Sequence, residues 1–234
     1  MSGPTIHNLA DIKVSNITFS DLKVLDNGGK MVYINYDKKP LFFSTPAMHL
    51  PFGLSNWENT KFSLQMSAGP EHQQVIDKLK EIEAYVINTA FDKSMLWFKK
   101  KFSSPNIVEE LFSSCVNYPK DKVTGEINDK YSPTVKLQIA ADCEAYLSKN
   151  EQVAITAETI PKGSKVMVIA RMSAIWFVDK KFGISSKAQQ IKVTPPKAIG
   201  KPSFVFDEDD KECDEDMAGS GMSGMSAAAD GDSD

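Results

Sequence analysis

Apolar residues in this chain come in short, often alternating runs that Gly, Pro, Asn and Asp keep interrupting. Such punctuation favours many short strands over a few long helices. The clearest break is Asp26-Asn27-Gly28-Gly29, a tight-hairpin cluster because Asn and Gly tolerate positive φ. Before it lie Ile12, Val14, Ile17, Phe19, Leu22 and Val24; after it, Met31–Tyr36 places Val32 and Ile34 on one side and Tyr33 and Asn35 on the other. Further strands are expected at Leu41–Ser44, Lys61–Met66, Val135–Ala140, Val153–Ala157, Lys165–Met172, Ile175–Val178 and Ala188–Val193. Turns are expected at Asp37–Pro40, Ile160–Ser164 and Lys180–Gly183, and loops over 45–58 and 117–133.

One segment has a different period. After Gly69-Pro70-Glu71, Val75, Leu79, Ile82 and Val86 recur at helical spacing, with Pro and an acid in the first turn. Helicity is expected to run in pieces to about Phe98, with a short helix at Val108–Phe112. The order predicts a mainly β domain over 12–206 with a helical insertion at about 70–112, after a flexible leader at 1–11. An oligonucleotide-binding-type barrel is the natural candidate; a β-sandwich would show a similar strand count.

Charge divides the chain. The total is 27 basic and 31 acidic residues. From Asp207 onward stand eleven acids and one base, Lys211, which leaves 26 basic and 20 acidic residues in 1–206. The segment 207–234 has no apolar repeat and is expected to be a disordered acidic tail. A basic body beside an acidic tail points to contact with a polyanion.

Several classes lack support. No phosphate loop, nucleophile elbow or dinucleotide fingerprint is present, and no carboxylate spacing singles out an acid–base pair. The chain is therefore read as non-enzymatic and without a cofactor. Cys115, Cys143 and Cys213, with His7, His49 and His72, are too scattered for a metal site. Free thiols suit a reducing, intracellular compartment. No membrane segment is expected, since runs such as Val166–Ala170 are short, and Met1–Thr5 does not read as a secretory signal.

Aromatic residues instead interleave with cations on the expected strands and turns. The groups hold Lys30, Tyr33, Tyr36, Lys38 and Lys39; Lys61; Lys99 and Lys100 beside Trp97 and Phe98; and Lys165, Arg171, Trp176, Lys180 and Lys181, with Lys187 and Lys192 beyond. Cations can follow phosphates while rings stack on unpaired bases. Tyr33 and Tyr36 sit at odd spacing, so at most one can join a given groove, and one of Trp176 and Phe177 should face inward. A tail carrying Asp207, Glu208, Asp209, Asp210, Asp214, Glu215 and Asp216 could occupy the same groove and compete for it.

Three features resemble the replicative single-stranded DNA-binding proteins of podovirus phages and large nucleocytoplasmic DNA viruses. These are the strand–helix–strand order, the acidic segment Asp207–Asp234, and the stretches Met31–Pro46 and Lys165–Phe177. The resemblance implies an oligonucleotide-binding barrel, sequence-independent binding of single strands in viral replication and recombination, and tail contacts with replication proteins. It also implies dimers, and action at replication sites in host cytoplasm or nucleus. Phage members end in an aromatic residue, whereas this chain ends Asp232-Ser233-Asp234. The rival reading is a virion structural or acidic-tailed interaction or chaperone protein that does not bind DNA.

Overall fold

Leu9, apolar and near the start of the chain, is buried by a single 3-10 turn at Leu9–Asp11. Just before it, strand β1 (Ile6–Asn8) pairs in parallel with residues 42–44. The stretch expected to be a loose leader is thus part of the sheet from Ile6. The computed structural model describes residues 3–57, 61–147, 152–156 and 158–196. They belong to one compact unit, mainly β with an inserted helical segment. The acidic segment 207–234 lies outside the described residues.

β2 (Ile17–Phe19) and β3 (Lys23–Val24) both pair with β4 (Lys30–Tyr36). The expected Asp26–Gly29 turn joins β3 to β4: Leu25 N–H donates to the Gly29 carbonyl at 2.7 Å, and Gly28 adopts φ 78°. β4 reverses into β5 (Lys39–Ser44) through Asp37 and Lys38, at φ 49° and 64°. Positive φ at both loop residues matches the twist a two-residue hairpin needs.

The loop expected over 45–58 holds two strands, β6 (Met48–Leu50) and β7 (Leu54–Trp57). Met48 and Leu50 are fully buried while His49 faces out. β8 (Lys61–Ser67) follows, then the helical insertion: α1 (Gln73–Asp92), α2 (Ser94–Trp97) and α3 (Pro105–Leu111). The stripe of Val75, Leu79, Ile82 and Val86 is buried as its spacing requires. α3 begins at Pro105, capped by Ser104, whose Oγ accepts from the Asn106 N–H at 3.3 Å.

Two short strands, β9 (Phe112–Ser113) and β10 (Val116–Asn117), lead through a polar loop to β11 (Thr134–Leu147). β12 (Gln152–Val153), β13 (Ser164–Val178) and β14 (Lys181–Thr194) complete the sheet. β13 is one strand where two were expected, because Ser173 is an extra residue between the paired Met172 and Ala174. The turn after it is Asp179-Lys180, so Phe182 and Gly183, expected in the turn, belong to β14.

The pairings form a circuit. β13 pairs with β6, β6 with β8, β8 with β11, β11 with β14, and β14 with β13. All are antiparallel except β11 with β14. Along β13, residues 164, 166, 168, 170 and 172 are buried and 165, 167 and 171 exposed. Phe182, at 0% exposure, centres an aromatic cluster with Phe98 and Phe112 at 5.2 Å and Phe177 at 5.9 Å. That cluster fastens the helical insertion to the β13–β14 hairpin.

Candidate nucleic-acid interface

Strand pairing arranges the outward side chains in rows. Phe42 of β5, Arg171 of β13, Lys187 of β14 and Gln138 of β11 are successive partners. Arg171, Lys187 and Gln138 are exposed, and the Arg171 guanidinium lies 5.8 Å from the Phe42 ring centre. In the next row along β13, Ser44, Ile169, Gln190 and Glu144 follow one another; then come Met167, Lys192 and Tyr146. Lys165 partners both Thr194 and His49, and His49 partners Ser67. Towards the other end of β13, Tyr33 lies opposite Ala174, and Met31 opposite Trp176.

The signs of charge on these strands are unequal. Among the described strand residues the only acids are Asp142 and Glu144, both on β11. Ten of the described strand residues are Lys or Arg. The acids of the folded part stand mainly on helices and in loops, among them Asp77, Glu81 and Glu83 on α1 and Glu109 and Glu110 on α3.

Of the residues singled out from the sequence, Tyr33, Lys165, Arg171 and Trp176 share this face. Lys23 Nζ sits 5.0 Å from the Tyr33 ring centre. Trp176 packs over Gly183: a Cβ there would come within 2.8 Å of Trp176 Cζ2. Tyr36 is removed from the surface, at 7% exposure, with its hydroxyl accepting from the Lys13 N–H at 3.3 Å and its ring 4.7 Å from His7. Its three-residue offset from Tyr33 turns it inward. Lys38 is exposed on the β4–β5 hairpin loop and Lys39 opens β5 beside it. Lys61 opens β8 opposite Trp57.

The remaining lysines gather elsewhere. Lys30, Lys180 and Lys181 line a cleft of about 220 Å³ with Gly28, Trp97, Phe98, Phe177 and Asp179. Lys181 Nζ donates to the Glu110 carbonyl at 2.6 Å. Lys99, at φ 55°, and Lys100, with Nζ 5.5 Å from the Phe102 ring centre, follow α2 next to Phe98. The sequence groups therefore resolve into a sheet face and a separate basic cleft at the β13–β14 turn.

The face also contains a larger cleft, of about 390 Å³, lined by Tyr146, Met167, Ile169, Gln190 and Lys192. Beside it, Glu144 Oε2 accepts from the Tyr146 hydroxyl at 2.7 Å and from Gln190 Nε2 at 2.9 Å. These two bonds, that from Tyr146 first, hold the Glu144 carboxyl below its usual range. The same carboxylate raises the Tyr146 phenol. Tyr146 escapes a reading that ends the strand at Ala140, because Ala141-Asp142-Cys143 breaks the alternation. Among the described residues no group of three or more His, Cys, Asp or Glu is placed to hold a metal, and no helix is long and apolar enough to cross a membrane.

The sequence model of a family of unknown function, DUF5871, matches residues 65–206. The chain belongs to this family. The DUF5871 match takes in the helical insertion and β11–β14, hence Arg171, Lys187, Tyr146 and Gln190, but not Tyr33 or Phe42. No curated protein sequence matches the chain. Among solved structures, it is similar to the single-stranded DNA-binding protein from bacteriophage Enc34, at 12% identity over 80% of this chain and 96% of that one, with a TM-score of 0.43. A C-terminal truncation of that protein matches at 11% identity over 79% of this chain and 98% of that one, TM-score 0.45. The gp2.5 single-stranded DNA-binding protein of bacteriophage T7 matches at 12% identity over 79% and 100%, TM-score 0.38.

Proposed function

We propose that this chain binds single-stranded DNA without marked sequence preference, as a non-enzymatic component of viral replication and recombination. The observation that carries the reading is the row-by-row composition of the β5–β13–β14 face. Arg171, Lys165, Lys187 and Lys192 stand among Phe42, Met167, Ile169 and Trp176, with no acid on any of these three strands. Cations at strand spacing suit phosphates, and flat or apolar groups between them suit unpaired bases. Stacking contributes about 1–3 kcal/mol per base and tolerates any sequence. We read the five-strand circuit as an oligonucleotide-binding-type barrel, whose outer face would carry the DNA.

In this reading the segment 207–234 is a tethered polyanion that competes for the same face and, once displaced, offers its charge to replication proteins. The test is a titration of the full chain with oligo-dT and with duplex DNA at several salt concentrations. Binding should favour oligo-dT and weaken steeply with salt, since each neutralised phosphate releases a counterion. Preference for duplex, or affinity indifferent to salt, rejects the reading. No binding to oligo-dT, with capture of basic proteins that disappears on removing the tail, would support an interaction protein instead.

A further inference from the structure

Glu144 is out of keeping with the face that holds it. A carboxylate repels phosphate, yet this one lies on a row that also contains Gln190 and Ile169, beside β5, β13 and β14, which carry Lys and Arg and no acid. Its position is not accidental packing at an edge: Tyr146 and Gln190 both donate to Oε2, at 2.7 and 2.9 Å. Among the described residues no hydrogen bond reaches Oε1. The adjacent cleft, about 390 Å³, lies within the roughly 300–1,000 Å³ range of small-molecule sites. It has an aromatic side chain, Tyr146, two apolar ones, Met167 and Ile169, and a single cation, Lys192.

We propose that this cleft is a base subsite and that Glu144, outside its lining but bonded to Tyr146 and Gln190 at its edge, accepts through Oε1 a hydrogen bond from the exocyclic amino group of cytosine, adenine or guanine. The proposal rests on the single-strand reading above and adds a chemical preference to it. Thymine and uracil offer a carbonyl where cytosine offers an amino group, so they would face the carboxylate with an acceptor. The backbone of the bound nucleotide passes on the Lys192 side, where its charge is matched. The phenol bond to Glu144 fixes Tyr146 before any base arrives, which lowers the ordering cost of stacking.

The experiment compares oligo-dC with oligo-dT of equal length, binding to the full chain and to the Glu144→Gln and Tyr146→Leu variants. The unaltered chain should prefer oligo-dC by about fivefold, the effect of one partly exposed hydrogen bond to a charged group. Glu144→Gln should erase that preference, because an amide can serve either base, and should bind oligo-dT more tightly because a repelling charge is gone. Tyr146→Leu should weaken both oligonucleotides. Equal binding of the two by the unaltered chain, a preference that survives Glu144→Gln, or unchanged affinity in Tyr146→Leu overturns the subsite. Failure to bind either oligonucleotide at low salt would instead overturn the single-strand reading. Thermal melting of each variant, expected to fall slightly for Glu144→Gln because its bonds from Tyr146 and Gln190 lose their charge, separates lost contacts from lost folding.

Discussion

The guanidinium of Arg171 lies 5.8 Å from the centre of the Phe42 ring, across the pairing of β13 with β5. The ring steadies a cation that has Lys187 on its other side. Two positive groups and a flat apolar one thus share a row, and none of the three strands that supply them, β5, β13 and β14, carries an acid.

Arg171→Ala is therefore expected to weaken oligo-dT binding about tenfold at moderate salt and to lower the slope of log affinity against log salt by about 1. Fluorescence anisotropy at four salt concentrations checks both quantities. An unchanged slope would place Arg171 outside the phosphate path.

Lys38 separates stability from binding. It holds φ 64° without being glycine, a conformation that costs an ordinary residue about 1 kcal/mol. Lys38→Gly should raise the free energy of unfolding by about 1 kcal/mol or slightly less, because glycine also loosens the unfolded chain. If the lysine contacts DNA, the same variant binds oligo-dT more weakly. Urea unfolding and a binding isotherm on one preparation test the pair.

Gly183 is needed for closeness. An added Cβ would meet Trp176 Cζ2 at 2.8 Å and the Ser113 carbonyl oxygen at 2.9 Å. One of these is backbone and cannot swing away. Gly183→Ala should cost about 1–3 kcal/mol, as overpacking does, seen as a lower urea midpoint with little change in the slope of the transition.

The two described thiols should be sluggish. Burial, then the charge of Glu83, pushes Cys115 far above its ordinary value, and burial with Asp142 and Glu144 pushes Cys143 up to about 12. In a Cys213→Ser background, maleimide labelling at pH 8 should be slow until urea is added. The sign for stability follows. The unfolded chain releases these protons near pH 9.0 and the folded chain later, so the stabilisation is intact below pH 9 and is lost as pH rises beyond it. The urea midpoint should fall above pH 9, and fall less in Cys143→Ala.

If residues 207–234 compete for the face as proposed, removing them should raise affinity for oligo-dT, most at low salt. Equal or weaker binding by the truncated chain rejects the competitive role of the tail.

Local chemistry made much of this architecture readable. Asp26–Gly29 could hardly be other than a turn, and the Val75, Leu79, Ile82 and Val86 stripe had to face a core. Odd spacing foretold that Tyr33 and Tyr36 would part company, and that of Trp176 and Phe177 one would turn in; Phe177 joins the aromatic cluster. Three features were illegible for related reasons. Ser173 and the irregular stretch between Ile139 and Glu144 break the alternation that marks a strand, which split β13 and cut β11 short, hiding Tyr146. Pro46, Pro51 and Gly53 read as loop, although they only flank β6 and separate it from β7. The parallel pairing of β1 with β5 joins residues some 36 positions apart, a relation that no local pattern reports.

β13 is held along one side by β14, and along the other by β6, β5 and β4 in turn. Clamped on both flanks on either side of the Ser173 bulge, it has little freedom to stretch or bend, so the interval between Lys165 and Arg171 behaves as a graduation on a stiff ruler. A floppy polymer laid along it must adopt that interval, and the entropy lost on docking then falls almost wholly on the guest.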